Sequence, residues 1–184
     1  TCNEYTGTFQ HVCGDWKPLG SGNSGKLTSQ YYGRDKAGHY VGAVERAQGD
    51  THTMWAGTRI GRLFISKNAD AARQNVSYKR LDTSAQPERF VSGIAIDPEN
   101  ANHAYVSFSG YQAYTPGQPG HVFEVTFHPA TGTATWTDLS FNLGDQPITD
   151  VVYDDETGDL YASTDFSVLR LEDGGSAWVD AAGG

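Results

Sequence analysis

Apolar residues along this chain recur in short alternating runs, and clusters of Gly, Asp, Asn and Thr break the runs every few residues. A period of two bounded by turn residues predicts β-strands. No stretch sustains a helical period. The last part is clearest: from Pro147 it reads PITDVVYDDETGDLYASTDFSVLRLEDGGSAWVD. It predicts strands at 149–153, 159–163, 167–171 and 177–180, with DDETG and EDGG as turns.

Two earlier stretches follow the same plan. One starts at Tyr40 with YVGAVE, continues TMWAGTRIGRLFIS and ends VSYKRLD; the other starts at Phe90 with FVSGIAIDPENANHAYVSFSG, continues HVFEVTF and ends ATWTDLS. Trp55, Tyr105 and Tyr161 fall at the start of the second strand of each unit, and Tyr78, Trp136 and Trp178 in the fourth. Such a repeat, recurring at roughly 50 residues, is the signature of four-stranded units set side by side. The chain therefore divides into units at 39–82, 90–140 and 147–181, all within one segment 1–184. Residues 1–22, with Trp16, are expected to give the outer strand of a preceding unit.

The third unit carries LEDGGSAW, which resembles the Asp-box S-x-D-x-G-x-T-W, with Asp173, Gly175 and Trp178 in place, Leu171 for Ser and Ala177 for Thr. The first unit has Ser66, Asn68 and Asp70 in ISKNADA, with Tyr78 in the tryptophan's place. The second has HPATGTATW, which keeps Gly132, Thr135 and Trp136 and lacks the Asp. On these residues the chain resembles the Asp-box (BNR-repeat) β-propellers, a superfamily with sialidase-like, xyloglucanase-like and sortilin-type members. The resemblance runs from about Asp15 onward. It implies an all-β fold of about three four-stranded antiparallel blades, an incomplete propeller. It also implies a structural box: Asp173 accepts backbone N–H groups in its hairpin, Gly175 takes a conformation a Cβ disfavours, and Trp178 packs between sheets.

Closed propellers have about four to eight blades, so three leave two faces bare. Remaining blades or other chains are the expected partners along both cut faces, with GSGNSG at 20–25 as a flexible connection. In resembling propellers, ligands bind where loops between second and third strands meet the loops entering each blade. That places Arg59 and Arg62 of TRIGR, Tyr111, Gln112 and Tyr114 of GYQAYTPGQPG, and Asp165 and Phe166 of TDFS on the ligand face. The entry loops add Arg34, Asp35 and His39, then Glu88 and Arg89, then Asp145 and Gln146. Tyr111 and Tyr114 either form a sugar-stacking platform or pack on a neighbouring blade. Asp35, Asp145 and Asp165 are the catalytic candidates by loop position, since glycoside hydrolysis needs two facing carboxylates. A sialidase-like site is disfavoured, because Gly61 follows Arg59-Ile60 where that family's element has Pro.

Charge narrows the partners. The formal net charge is −9, which disfavours nucleic acid, and no apolar run is long enough for a membrane helix. Thr1 opens no basic and apolar leader, so a signal peptide is absent or already removed. Cys2 and Cys13 are either a disulfide across a short loop, which points to an extracellular or periplasmic setting, or two free thiols. The acidic run DDETGD is either a calcium site or a solvated hairpin turn; its spacing is not that of an EF-hand. His103, His121 and His128 show no ligand spacing, and no cofactor or other metal is expected. The expectation is a secreted binding or scaffold module for a glycan or a protein. The alternatives are part of a glycoside hydrolase, endo-glucanase-like or sialidase-like, and a structural subunit of a larger extracellular assembly.

Overall fold

Twelve strands form three separate antiparallel sheets in the computed structural model, which describes residues 18–181. Cys2, Cys13 and Trp16, with the disulfide and outer strand expected there, lie outside the described residues. Sheet 1 holds β1 (Val41–Arg46), β2 (Met54–Thr58), β3 (Leu63–Ser66) and β4 (Lys79–Arg80). Sheet 2 holds β5 (Phe90–Ile96), β6 (His103–Ser109), β7 (Val122–His128) and β8 (Thr133–Asp138); sheet 3 holds β9 (Ile148–Tyr153), β10 (Leu160–Thr164), β11 (Val168–Leu171) and β12 (Trp178–Asp180). Each sheet is a meander in which consecutive strands pair. Helical structure among the described residues is limited to three single 3₁₀ turns.

The repeat is exact in register. Glu45 pairs with Trp55, Ala95 with Tyr105 and Val152 with Tyr161, each one residue before the end of its first strand. Each first strand also carries an unpaired residue next to its start: Gly42, Ser92 and Thr149. Such bulges bend a strand and increase its twist, so the three sheets are bent alike at one end.

Two cores lie between the sheets. Trp55, Leu63, Ile65 and Leu81 of sheet 1 pack on Ile94, Val106, Phe108 and Phe123 of sheet 2. Val122 and Tyr105 on the far side of sheet 2 pack on Val151, Ala162, Leu171 and Trp178 of sheet 3. The sheets approach closely: a Cβ on Gly57 would stand 2.3 Å from Val91 Cγ1. Indoles cross both boundaries. Trp136 Nε1 donates to Leu81 O at 3.3 Å and Trp178 Nε1 to Leu139 O at 2.7 Å. Both acceptors sit just after the outer strand of the preceding sheet, so the fourth-strand tryptophans fasten each sheet to the one before it.

The free side of sheet 1 is partly covered by the segment before β1. Leu27 and Tyr32 pack on Ala56, Phe64 and Tyr78. Burial raises the Tyr32 hydroxyl to about 12. Arg62, fully buried, holds this segment by donating to the carbonyls of Leu27, Ser29, Gly33 and Asp35 at 2.6–2.9 Å.

The outer hairpins differ. In sheet 1, Asn68 Oδ1 accepts from Ser77 N at 3.0 Å and Ser66 Oγ at 3.3 Å, while Asn68 Nδ2 donates to Asn75 O at 2.8 Å. In sheet 3, Asp173 is exposed, Gly174 rather than Gly175 has the positive φ (63°), and a Cβ on Gly175 would stand 2.8 Å from Glu172 O.

Candidate functional site

At the bulged end of the sheets, the loop 59–62, the loop 110–121 and the entry loop 81–89 come together around a hollow of about 620 Å³. Arg59, Glu88, Arg89, Phe90, Tyr111 and Tyr114 line it, with Ser109, Gly110 and Thr115. The turn that presents Arg59 depends on Gly61, whose φ is +87° and whose Cβ would fall 1.9 Å from Pro87 O. Arg59 N also donates to Tyr40 O at 2.9 Å, which ties this turn to the entry of β1.

The long loop is clamped from beneath. Arg89 is 5% exposed, and its guanidinium donates to Gly110 O at 2.8 Å, to Gln118 O at 3.5 Å and to Gly120 O. Asp145, from the loop entering β9, accepts from Gln112 N at 2.5 Å and Ala113 N at 3.2 Å. Gln118 Nε2 donates to Ser84 O at 2.7 Å. These bonds fix a 3₁₀ turn over Gln112–Tyr114 and hold Tyr111 at its start. Tyr114 is 83% exposed and Tyr111 45%. Two rings held out over a hollow by a fastened backbone lose little entropy on binding a flat apolar face.

His121 links the two clamps. It is fully buried, with Nδ1 3.2 Å from Arg89 Nη1 and Nε2 3.4 Å from Asp145 Oδ1 without a hydrogen bond. Nδ1 also lies 3.4 Å from Phe108 O, so this nitrogen faces a donor and an acceptor together. Burial, and then the Arg89 charge, push the imidazole pKa below its ordinary 6.5. Above that pH His121 is neutral in both the folded and unfolded chain, and its contribution is fully present. As the pH falls from 6.5 through the lower folded value, the unfolded chain takes up the proton first and stability is lost. Thermal melts between about pH 7 and 5 should therefore show a falling Tm, and His121→Asn should flatten that decline. An equal slope in the variant would assign the loss to other groups.

The remaining candidates lie elsewhere. Asp35 is held by Arg80, with Nη2–Oδ2 at 2.5 Å and Nη1–Oδ1 at 3.1 Å. The Arg80 hydrogen bond lowers its carboxyl pKa. Asp165 and Phe166 occupy the exposed tip between β10 and β11 and do not line the hollow, and neither does Gln112. Arg62 is turned into the protein, away from the rim where Arg59 stands. Glu88 is the carboxylate that lines the hollow among the described residues.

Neither a family model nor a curated protein sequence matches the chain. Solved structures do match. The β-propeller domain of Cps50 (Swd1) from Myceliophteria thermophila superposes with a TM-score of 0.56 at 14% identity, over 83% of this chain and 46% of that one. An ancestral GH74 enzyme matches at a TM-score of 0.48 and 23% identity, over 78% of this chain and 18% of that one. The extracellular domain of the putative one component system BT4673 from B. thetaiotaomicron matches at 0.49 and 16%, over 76% and 16%. This chain spans less than half the length of each. The fold is an incomplete β-propeller.

The three sheets are thus propeller blades, and the hollow lies at the seam between the first two, on the face carrying the entry loops. Phe90 and Ser109 of the lining escape a reading by loops, because they are strand residues. The tie of Asp145 to the tyrosine loop joins residues more than 30 positions apart, and no local pattern marks it. Among the described residues no group of three or more His, Cys, Asp and Glu side chains is placed to hold a metal ion. In the acidic turn, Asp159 accepts from Arg170 Nε at 2.7 Å and Asp173 N at 3.0 Å, and Asp154 Oδ1 accepts from Glu156 N at 3.0 Å. No helix among these residues is long and apolar enough to cross a membrane.

Proposed function

We propose that this propeller segment is an extracellular binding module that takes a glycan in the hollow between its first two blades. The observation that carries the reading is the convergence of Tyr111 and Tyr114 with Arg59 and Glu88 on one clamped rim. Exposed phenol rings suit the apolar C–H face of a pyranose, and a guanidinium and a carboxylate beside them suit its hydroxyls. Binding is favoured over hydrolysis because Asp35 is engaged by Arg80 and Asp145 by the loop backbone. Among the described residues no second carboxylate lines the hollow opposite Glu88. The Asp-box reading belongs to the same proposal, supported by the bonds of Ser66 and Asn68 in the first outer hairpin and by the indole bonds of Trp136 and Trp178.

The test is a glycan array screened with the purified chain, followed by calorimetric titration of the strongest ligand. Tyr114→Ala should weaken binding at least tenfold, about 1.4 kcal/mol. It should leave Tm nearly unchanged, because the ring is exposed. Retention of no glycan, or equal affinity in Tyr114→Ala, would sink the proposal.

A further inference from the structure

The rim of the hollow holds a positive charge that the fold itself does not use. Arg59 is exposed, and its guanidinium makes no hydrogen bond or ion pair to any described residue. The other arginines among the described residues, Arg34 apart, direct theirs to carbonyl or carboxylate oxygens of the protein. The turn explains the difference. Gly61 bends the chain at φ +87° and Arg59 N is tied to Tyr40 O, so the backbone is fixed while the side chain stays unengaged. Both walls of the hollow come from blades 1 and 2, whose four strands are all described.

The charges around Arg59 do not cancel. Glu88 lines the same hollow, yet the two side chains do not pair. Glu88 lies instead within electrostatic reach of the buried Lys36 ammonium. Arg89 also lines the hollow. Its Nη atoms meet carbonyls and His121, its Nε is buried without an acceptor, and no carboxylate touches it. The lining therefore carries two guanidinium groups against one carboxylate, in a chain whose formal net charge is −9. An anion is repelled by the acidic surface at large and attracted at this one place. A guanidinium fork with both arms free matches the two coplanar oxygens of a carboxylate through parallel N–H donors. A sulfate ester offers the same charge without that planar pair.

We infer that the glycan taken by the hollow is acidic: a uronic acid residue sets its carboxylate on Arg59, lays its ring on the tyrosines and donates its hydroxyls to Glu88. This rests on the glycan reading above and gives Arg59 a carboxylate rather than a hydroxyl as its partner.

Two measurements test it. On the glycan array, the retained ligands should carry a uronic acid residue. Binding confined to neutral or sulfated glycans would overturn the acidic assignment and leave the glycan reading standing, whereas retention of nothing removes both. The strongest uronate ligand is then titrated beside the same oligosaccharide with its carboxyl reduced to an alcohol. The acid should bind at least about tenfold more tightly, as a charge-assisted pair implies, and the gap should narrow in about 0.5 M salt. Arg59→Gln should bring the ratio of the two affinities close to one, with an unchanged circular dichroism spectrum. Equal binding of acid and alcohol by the wild-type chain would overturn the inference, and so would a ratio that survives in Arg59→Gln.

Discussion

Trp55→Ala is expected to remove about 3–5 kcal/mol of stability, the range for deleting a large buried aromatic. The residue is fully buried at the boundary between the first two blades. Its loss opens a cavity among Ile65, Ile94 and Ala104 and leaves Ala101 O without its indole donor. In a chain of this size about 1 kcal/mol corresponds to a Tm shift of about 2–4 °C, so calorimetry should record a fall of roughly 10 °C. Trp55→Phe keeps much of the volume, loses the hydrogen bond, and should fall by clearly less. A loss below about 1 kcal/mol for the alanine variant would mean that the blades do not depend on this contact to stay together.

The second large effect is local. Arg89→Leu should cost about 2–4 kcal/mol, because three loop carbonyls lose a charged donor in a buried place. The damage should concentrate in residues 110–121, where amide hydrogen exchange should rise sharply while the strands keep their protection. Glycan binding in the hollow should be lost with it, since Tyr111 and Tyr114 are presented by that loop. Arg89→Lys should not restore the loop. An ammonium donates from one point, whereas Nη1 meets Gly110 O and His121 Nδ1 and Nη2 meets Gln118 O and Gly120 O, the two arms of a planar fork. Unchanged exchange in 110–121 would assign the loop's order to Asp145 and Gln118 instead.

Asp145 illustrates why the site was only half legible from the chain. Its loop position made it a catalytic candidate, and its backbone partners make it a clamp on the tyrosine loop. Arg59, Tyr111 and Tyr114 were found by the same loop mapping and do meet around one hollow. Asp165 and Phe166 were mapped by identical logic to the next blade, whose loop is three residues long and stands apart. Loop length and the neighbour's shape decided between them. His121, which has no motif around it, became a buried link between two clamps because a histidine's partners depend on which strands and loops surround it.

The sequence by itself determined the strands, their division into three four-stranded units, and the register that aligns Trp55, Tyr105 and Tyr161. These follow from alternation, turn residues and repetition, which are local properties of the chain. Only the tertiary structure decided which side chains meet across blades. Arg62 reaches carbonyls 27–35 residues earlier, Trp178 reaches a carbonyl 39 residues earlier, and the hollow forms at a seam that belongs to neither blade alone. Contacts of that span depend on how twisted sheets stack, and stacking is set by packing and burial across the whole fold rather than by any local pattern.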